Sequence, residues 1–248
     1  ENTYPGARVD TPNYFYCYSF EPNHDWSQYY SAQPELQAYL KRCCDEYKIC
    51  AQLQLNYAVT DGVFDAAGQR WRVHVQRQDG SNDVITAKAV ISAVGQLNHP
   101  KIPDFPGCGD FSGPQFHSAQ YQHEHDLRGK RVAVIGTGAS AFQLVPAIVG
   151  QVAQIKVFQR SAVWMFPNRD YHAQVPEEVK WLLKHLPYYA RWYRFLLFWP
   201  ASDGLLPSLV TDPDWPHQER SVCQLNDRAR QNMTAWIDSQ LSGNAQLR

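Results

Sequence analysis

The sequence predicts an α/β fold in which a parallel βαβ unit is combined with an antiparallel β-meander and a helical, aromatic C-terminal part. Three observations lead there. A short apolar run, residues 130–135, enters Gly136-Thr-Gly138-Ala-Ser-Ala141 and then a stretch with helical spacing. Three runs of period two lie between residues 53 and 88, separated by turn formers. From Pro176 onward, apolar and aromatic residues recur at helical intervals.

Composition sets the frame for these elements. The chain has 248 residues, 44% hydrophobic, 13% aromatic and 19% charged, which describes a globular protein rather than a disordered tail or a coiled coil. With 23 Lys and Arg against 24 Asp and Glu, the net charge of −1 leaves no bulk attraction to nucleic acid or to an anionic membrane. A small anionic ligand in a local site remains compatible. The longest apolar stretch, residues 195–201, is far short of the ~20 residues that span a bilayer, so no integral membrane segment is expected. Six cysteines, at 17, 43, 44, 50, 108 and 223, show no two-residue gap and read as reduced thiols of a cytoplasmic protein.

Taken in order, residues 1–30 are rich in Tyr, Pro, Asn and Gly and read as loop with an aromatic lining. Pro34 opens a helix whose apolar face is Leu36, Tyr39, Leu40, Cys43 and Tyr47. Residues 53–59, 71–76 and 83–88 form the meander, with turns at 65–68 and 79–82. Residues 89–94 are continuously apolar, as a strand buried on both faces of a parallel sheet would be. Prolines and glycines from Pro100 to Gly113 mark a connector. Residues 130–135 then read as a short buried strand, 142–152 as a helix and 155–158 as a second strand. Helices follow beyond 176 and at 226–241, and the aromatic stretch 181–199 reads as core or as a contact face.

The glycine turn carries the chemistry. Gly136 permits the tight strand-to-helix turn, Gly138 lets the backbone approach a pyrophosphate, and Ala141 still allows close helix packing. The diphosphate of a dinucleotide would sit on the helix N-terminus, among the amides of Thr137, Gly138, Ala139 and Ser140. At the end of the second strand, an Asp or Glu would favour a free ribose 2′-OH. Arg160 and Ser161 stand there instead, which points to the 2′-phosphate of NADP. His123-Glu-His125 lies in a polar loop without a third ligand at useful spacing, so no metal is expected.

The connector reads Phe111-Ser-Gly113-Pro-Gln-Phe-His117-Ser-Ala-Gln-Tyr121. On its own, His117 is a loop histidine. Ahead of a GxGxxA turn, however, this spacing resembles the fingerprint of the class B flavoprotein monooxygenases, which comprise Baeyer-Villiger monooxygenases and flavin-containing monooxygenases. Tyr4-Pro-Gly-Ala-Arg-Val-Asp10 resembles the Baeyer-Villiger segment that passes beside the flavin. Residues 91–96 resemble the return strand to the FAD sheet, and Phe158-Gln-Arg160 the NADPH strand. Asn23-His-Asp-Trp26 and Asp212-Pro-Asp-Trp-Pro-His217 are most similar to the 4-hydroxyacetophenone monooxygenase branch. Tyr121-Gln122, where Baeyer-Villiger enzymes usually carry Trp followed by Pro or Asp, fits the flavin-containing form.

The resemblance implies two dinucleotide-binding, Rossmann-like domains, both incomplete in this chain. Residues 1–100 would belong to an FAD-binding domain with the meander, 101–129 to the connector, and 130–248 to an NADP-binding domain with a helical insertion from about 175. It implies FAD and NADP as cofactors, Asp10 as the active-site carboxylate, Tyr16 and Val59 against FAD, and Arg8 and Gln96 toward the nicotinamide half of NADP. The implied activity is oxidation of a ketone to an ester with NADPH and O₂. The alternatives are N- or S-oxygenation, or a non-catalytic NADP-binding module. Because nothing here resembles the family's FAD glycine turn or its C-terminal part, the chain is expected to be the middle of a longer enzyme, inactive alone.

Overall fold

The computed structural model describes residues 2–95, 97 and 99–241. In chain order the elements are α1 (Asn13–Tyr16), α2 (Gln33–Glu46), β1 (Tyr57–Asp65), β2 (Arg70–Arg77) and β3 (Asn82–Ala87), followed by β4 (Arg131–Ile135), α3 (Ala139–Ile148), β5 (Gln154–Phe158), α4 (Glu177–His185), α5 (Tyr189–Ala201) and α6 (Gln224–Gln240). They fall into two units, one of residues 40–111 and one of the chain before and after it. Among the described residues no helix is long and apolar enough to cross a membrane.

The unit of residues 40–111 is the expected meander, antiparallel in the order β1-β2-β3. Its turns are made as their chemistry demands. The Asp65 carboxylate accepts from the amides of Ala67 and Gly68 at 3.0 and 3.1 Å, and Asp79 accepts from the Ser81 amide at 2.9 Å. Phe64 and Trp71 face one another across the first hairpin with ring centroids 5.4 Å apart. The first strand runs later than its apolar run suggested. Asn56 takes the left-handed conformation at φ 61°, which breaks the extended backbone before Tyr57, and the Asp65 turn then sets where the strand ends.

Residues 89–94 do not form the buried strand that their apolar run predicts. They carry no strand pairing, and Ile91 is 90% exposed. A strand buried in a parallel sheet needs a hydrogen-bonded neighbour along its edges. Among the described residues none pairs with this segment.

In the other unit, β4 and β5 pair in parallel, from Arg131 opposite Gln154 to Ile135 opposite Phe158, and α3 is the crossover between them. The strands form as expected, but β4 is not buried on both faces. Val132 and Val134 are half-buried while Arg131, Ala133 and Ile135 are exposed, because this sheet has only two strands among the described residues.

The N-terminal segment is more ordered than a loop. Arg8 bridges to Ala32, with the Val9 amide donating to Ser31 and the Gln33 amide to Ala7 at 3.1 and 2.9 Å. Fully buried Asn13 donates to the Ser31 hydroxyl at 2.6 Å and accepts from the Ser31 amide at 2.9 Å. The single turn α1, which apolar periodicity could not reveal, is set by Pro12, whose carbonyl accepts from both Phe15 and Tyr16.

In α2, Tyr39 and Cys43 are buried as expected, whereas Leu40 is exposed, as is Tyr47 just beyond the helix end. Helix α5 rests on the α1 turn: Tyr193 packs against Tyr14 and Phe198 against Phe15, and Arg194 lies over the Phe15 ring and donates to the carbonyls of Tyr14 and Cys17 at 3.0 and 3.1 Å. The aromatic stretch is therefore not core. Trp181 of α4 and Trp192, Phe195 and Trp199 of α5 are exposed, since an aromatic helix can turn only part of its circumference toward its neighbours.

Candidate functional site

The site is built where β4 turns into α3. Gly136 has φ +107°, a conformation that side-chain-bearing residues rarely adopt, and its amide donates to the Phe158 carbonyl at 2.9 Å. The turn is thereby tied to the last residue of β5. Gly138 precedes the helix in extended conformation, and its carbonyl accepts from Ala141 and Phe142 at 2.9 and 3.2 Å.

Space is left over this turn. A Cβ added at Gly136 or at Gly138 would meet no atom within 4 Å. No side chain caps α3, its first turn carries no acidic residue, and among the described residues no acceptor meets the amides of Ala139 and Ser140. The positive end of the helix dipole is therefore open to an anion. Arg160 and Ser161 follow β5 after Gln159, both exposed. Thr137, Ser140 and Ala141 are half-buried beside the turn.

The Tyr4–Asp10 segment lies in the same unit as α3, and contacts far apart in sequence hold it there. A Cβ on Gly6 would stand 2.5 Å from the Gln143 carbonyl oxygen, so only glycine permits this approach to the helix backbone. The Gln143 side chain accepts from the Tyr4 hydroxyl at 2.8 Å and from the Arg8 amide at 3.3 Å. Its Nε2 donates to the Arg8 carbonyl at 3.0 Å and to the Tyr171 hydroxyl at 2.7 Å. The Arg8 guanidinium donates to the Tyr171 carbonyl at 2.8 Å and lies over the Tyr171 ring.

Asp10 is exposed two residues further on. Burial pushes the Tyr171 phenol above its ordinary range; the hydrogen bond from Gln143 and the charge of Arg8 oppose this, and Asp10 adds to it. Burial likewise raises Tyr30, which accepts from Asn168 at 2.6 Å and also feels Asp170 and Asp10. Arg8 lies over the Tyr171 ring, which in turn packs on Tyr30 with centroids 5.3 Å apart.

The other expected residues have different settings. Tyr16 is on α1, 52% exposed. Val59 belongs to the meander unit and is 68% exposed. Gln96 lies outside the described residues. His117 accepts from the Ala119 amide at 3.1 Å and so caps a short 3₁₀ turn, while Phe116 packs edge-on against Tyr121 at 5.1 Å. His123 pairs with the Thr3 hydroxyl at 3.0 Å. Among the described residues no group of three His, Cys, Asp or Glu could hold a metal ion.

Sequence reasoning did not single out Gln143 or Tyr171. For Gln143 a signal existed: it is the lone amide in the run Ala141-Phe-Gln-Leu-Val-Pro-Ala147. Nothing local marks Tyr171.

The sequence pattern of the flavin-binding monooxygenase-like family matches residues 4–185. The chain belongs to this family. As a flavin-binding monooxygenase-like protein, it is 40% identical over 170 residues to a Baeyer-Villiger monooxygenase of Streptomyces coelicolor, covering 68% of this chain and 32% of that protein. Among solved structures it resembles cyclohexanone monooxygenase from Rhodococcus sp. Phi1 bound to NADP⁺, with a TM-score of 0.65 and 32% identity over 74% of this chain and 34% of that one. It also resembles an oxidized steroid monooxygenase bound to NADP, with a TM-score of 0.66 and 36% identity over 74% of this chain and 35% of that one. This monooxygenase-like chain spans about a third of the length of these relatives. The α/β fold with Rossmann-like character, expected from the glycine turn, agrees with these likenesses.

Proposed function

We propose that the chain is part of a Baeyer-Villiger monooxygenase that uses FAD, NADPH and O₂ to convert a small ketone, such as an aryl ketone, to an ester in the cytoplasm. The observation that carries this reading is the open helix N-terminus behind Gly136 and Gly138, with Arg160 at the end of β5. In it, residues 1–100 contribute to FAD binding, 101–129 connect, and 130–248 bind NADP. Support comes from family membership and from the relatives just described, which include a Baeyer-Villiger monooxygenase and a cyclohexanone monooxygenase bound to NADP⁺.

The residues present fit NADP. The amides of residues 138–140 would take the diphosphate, and Arg160 with Ser161 the 2′-phosphate through a charge-assisted contact. Arg8 would face the nicotinamide half. Asp10, exposed and two residues from the half-buried Arg8, would tune the charge that develops during oxygen transfer. When bound, the two cofactors supply the hydride and the activation of O₂. Tyr16 and Val59 are the proposed flavin contacts, and Gln96 a proposed nicotinamide contact. Among the described residues there is no second glycine turn, so no step is assigned to a flavin diphosphate cradle.

A second reading, oxygenation of an amine or sulfide, is favoured by one feature, the Tyr121-Gln122 ending of the fingerprint. Product analysis with paired ketone and sulfide substrates separates them. An ester supports ketone chemistry, and a sulfoxide with no ester overturns it.

A further inference from the structure

Arg8 sits in an extended segment whose two edges are satisfied differently. Toward Ala32 its neighbours Ala7 and Val9 make the hydrogen bonds, which leaves the amide and carbonyl of Arg8 itself pointing the other way. A strand would ordinarily pair there. Instead the side-chain amide of Gln143 takes both groups, with Oε1 receiving the Arg8 N–H and Nε2 donating to the Arg8 carbonyl. The two remaining capacities of the amide are filled by Tyr4 and Tyr171. A glutamine has two donors and two acceptor sites, so all four are used. The orientation of the amide is determined as well, because a flipped amide would set donor against donor at Arg8.

Gln143 lies one helical turn beyond Ala139, on the helix whose N-terminus is the open anion site. None of its side-chain partners belongs to β5 or to the Arg160 region. The 2′-phosphate end of the dinucleotide is therefore served by residues independent of Gln143, whereas Arg8 is held through it. Tyr171 reinforces the arrangement from the far side by accepting from the Arg8 guanidinium.

We propose that Gln143 is the positioning residue for the nicotinamide half of NADP, because its side-chain amide alone ties the Arg8 peptide to the dinucleotide-binding helix. This rests on the NADP reading above. Gln143 touches no reacting atom in this role; it acts through Arg8. Substrate recognition is thereby split along the dinucleotide, with Arg160 reading one end and the Gln143–Arg8 pair the other.

The test compares two ligands on the 248-residue chain by calorimetric titration: NADP⁺, and adenosine 2′,5′-bisphosphate, which keeps the 2′-phosphate end and lacks the nicotinamide. Gln143→Leu, of similar size, should weaken NADP⁺ by about tenfold, equivalent to about 1.4 kcal/mol, and leave the bisphosphate within twofold. Gln143→Glu keeps the length but sets an oxygen against the Arg8 carbonyl, and should behave like Leu. Tyr171→Phe removes one of the four bonds, leaves the fold least disturbed, and should weaken NADP⁺ alone by a smaller factor. Hydrogen exchange at the Arg8 amide should quicken in both Gln143 variants. Equal weakening of both ligands would make Gln143 a support of the helix and overturn the proposal, as would no weakening of either. If the unaltered chain binds neither ligand, the NADP reading itself fails and this inference fails with it. Arg160→Ala, which should weaken both ligands alike, checks that reading separately.

Discussion

The amide of Gly136 donates to the carbonyl of Phe158 across 2.9 Å, joining the first residue of the turn after β4 to the last residue of β5. That bond requires the backbone at Gly136 to reach φ +107°. Alanine in this conformation costs about 1 to 3 kcal/mol, so Gly136→Ala should lower the thermal midpoint clearly. Gly138, at φ −74°, accepts alanine without strain, but the new methyl would project into the open space over the helix amides. Gly138→Ala should therefore keep the wild-type midpoint and lose NADP⁺ binding by at least about tenfold, or about 1.4 kcal/mol. Thermal denaturation and titration of both variants decide it. Undiminished NADP⁺ binding by Gly138→Ala would remove the diphosphate from this turn.

Arg160 should select NADPH over NADH. A hydrogen bond to a charged group is worth about 1.5 to 3 kcal/mol, so Arg160→Ala should weaken NADPH roughly ten- to a hundredfold while NADH changes little. Arg160→Lys should recover part of the loss, since a point charge lacks the planar fork of a guanidinium. Equal losses for the two cofactors would show Arg160 to be structural.

Asp10 should serve the reaction rather than the fold. It is exposed, and its neighbours Arg8 and Val9 are held by Gln143 and Ser31 without it. In the flavin-loaded enzyme, Asp10→Ala should leave the thermal midpoint and flavin content near wild type and slow flavin reduction or oxygen transfer by about an order of magnitude, a loss of about 1.4 kcal/mol of transition-state stabilisation. Stopped-flow reduction and ester yield per flavin on one preparation measure both. A variant with lowered stability and normal chemistry would make Asp10 a turn former.

Asp227 should set part of the acid limit of stability. Burial works against its charge, but Arg230 and Arg220, each 3.0 Å away, outweigh that and hold the carboxyl below its ordinary range. With the folded value below the unfolded one of about 3.9, its contribution is complete above that pH and is lost as pH falls through the folded value. Asp227→Asn should lower the midpoint at pH 7 and flatten its decline between about pH 4 and pH 2. An acid limb as steep as wild type would assign the decline to other carboxylates.

Elements whose information is local were legible from residue order. The run of Val132 to Ile135 into Gly136-Thr-Gly138 specifies strand, turn and helix because the turn needs a residue free of Cβ at 136, where φ is +107°, and Asp65 and Asp79 specify their turns through bonds to amides two or three residues on. The family was legible for the same reason, as a pattern of spacings. Features that depend on partners far along the chain emerged only on folding. The apolar run 89–94 looks like a buried strand, yet burial is a property of neighbours, and Ile91 is exposed. The aromatics of α5 look like core, yet Trp192, Phe195 and Trp199 are exposed while Tyr193 and Phe198 meet α1. Arg8 could be read from its likeness to a known segment, but what holds it could not. Gln143 and Tyr171 lie 135 and 163 residues away, and hydrogen-bond geometry over such separations exists only after the chain has folded.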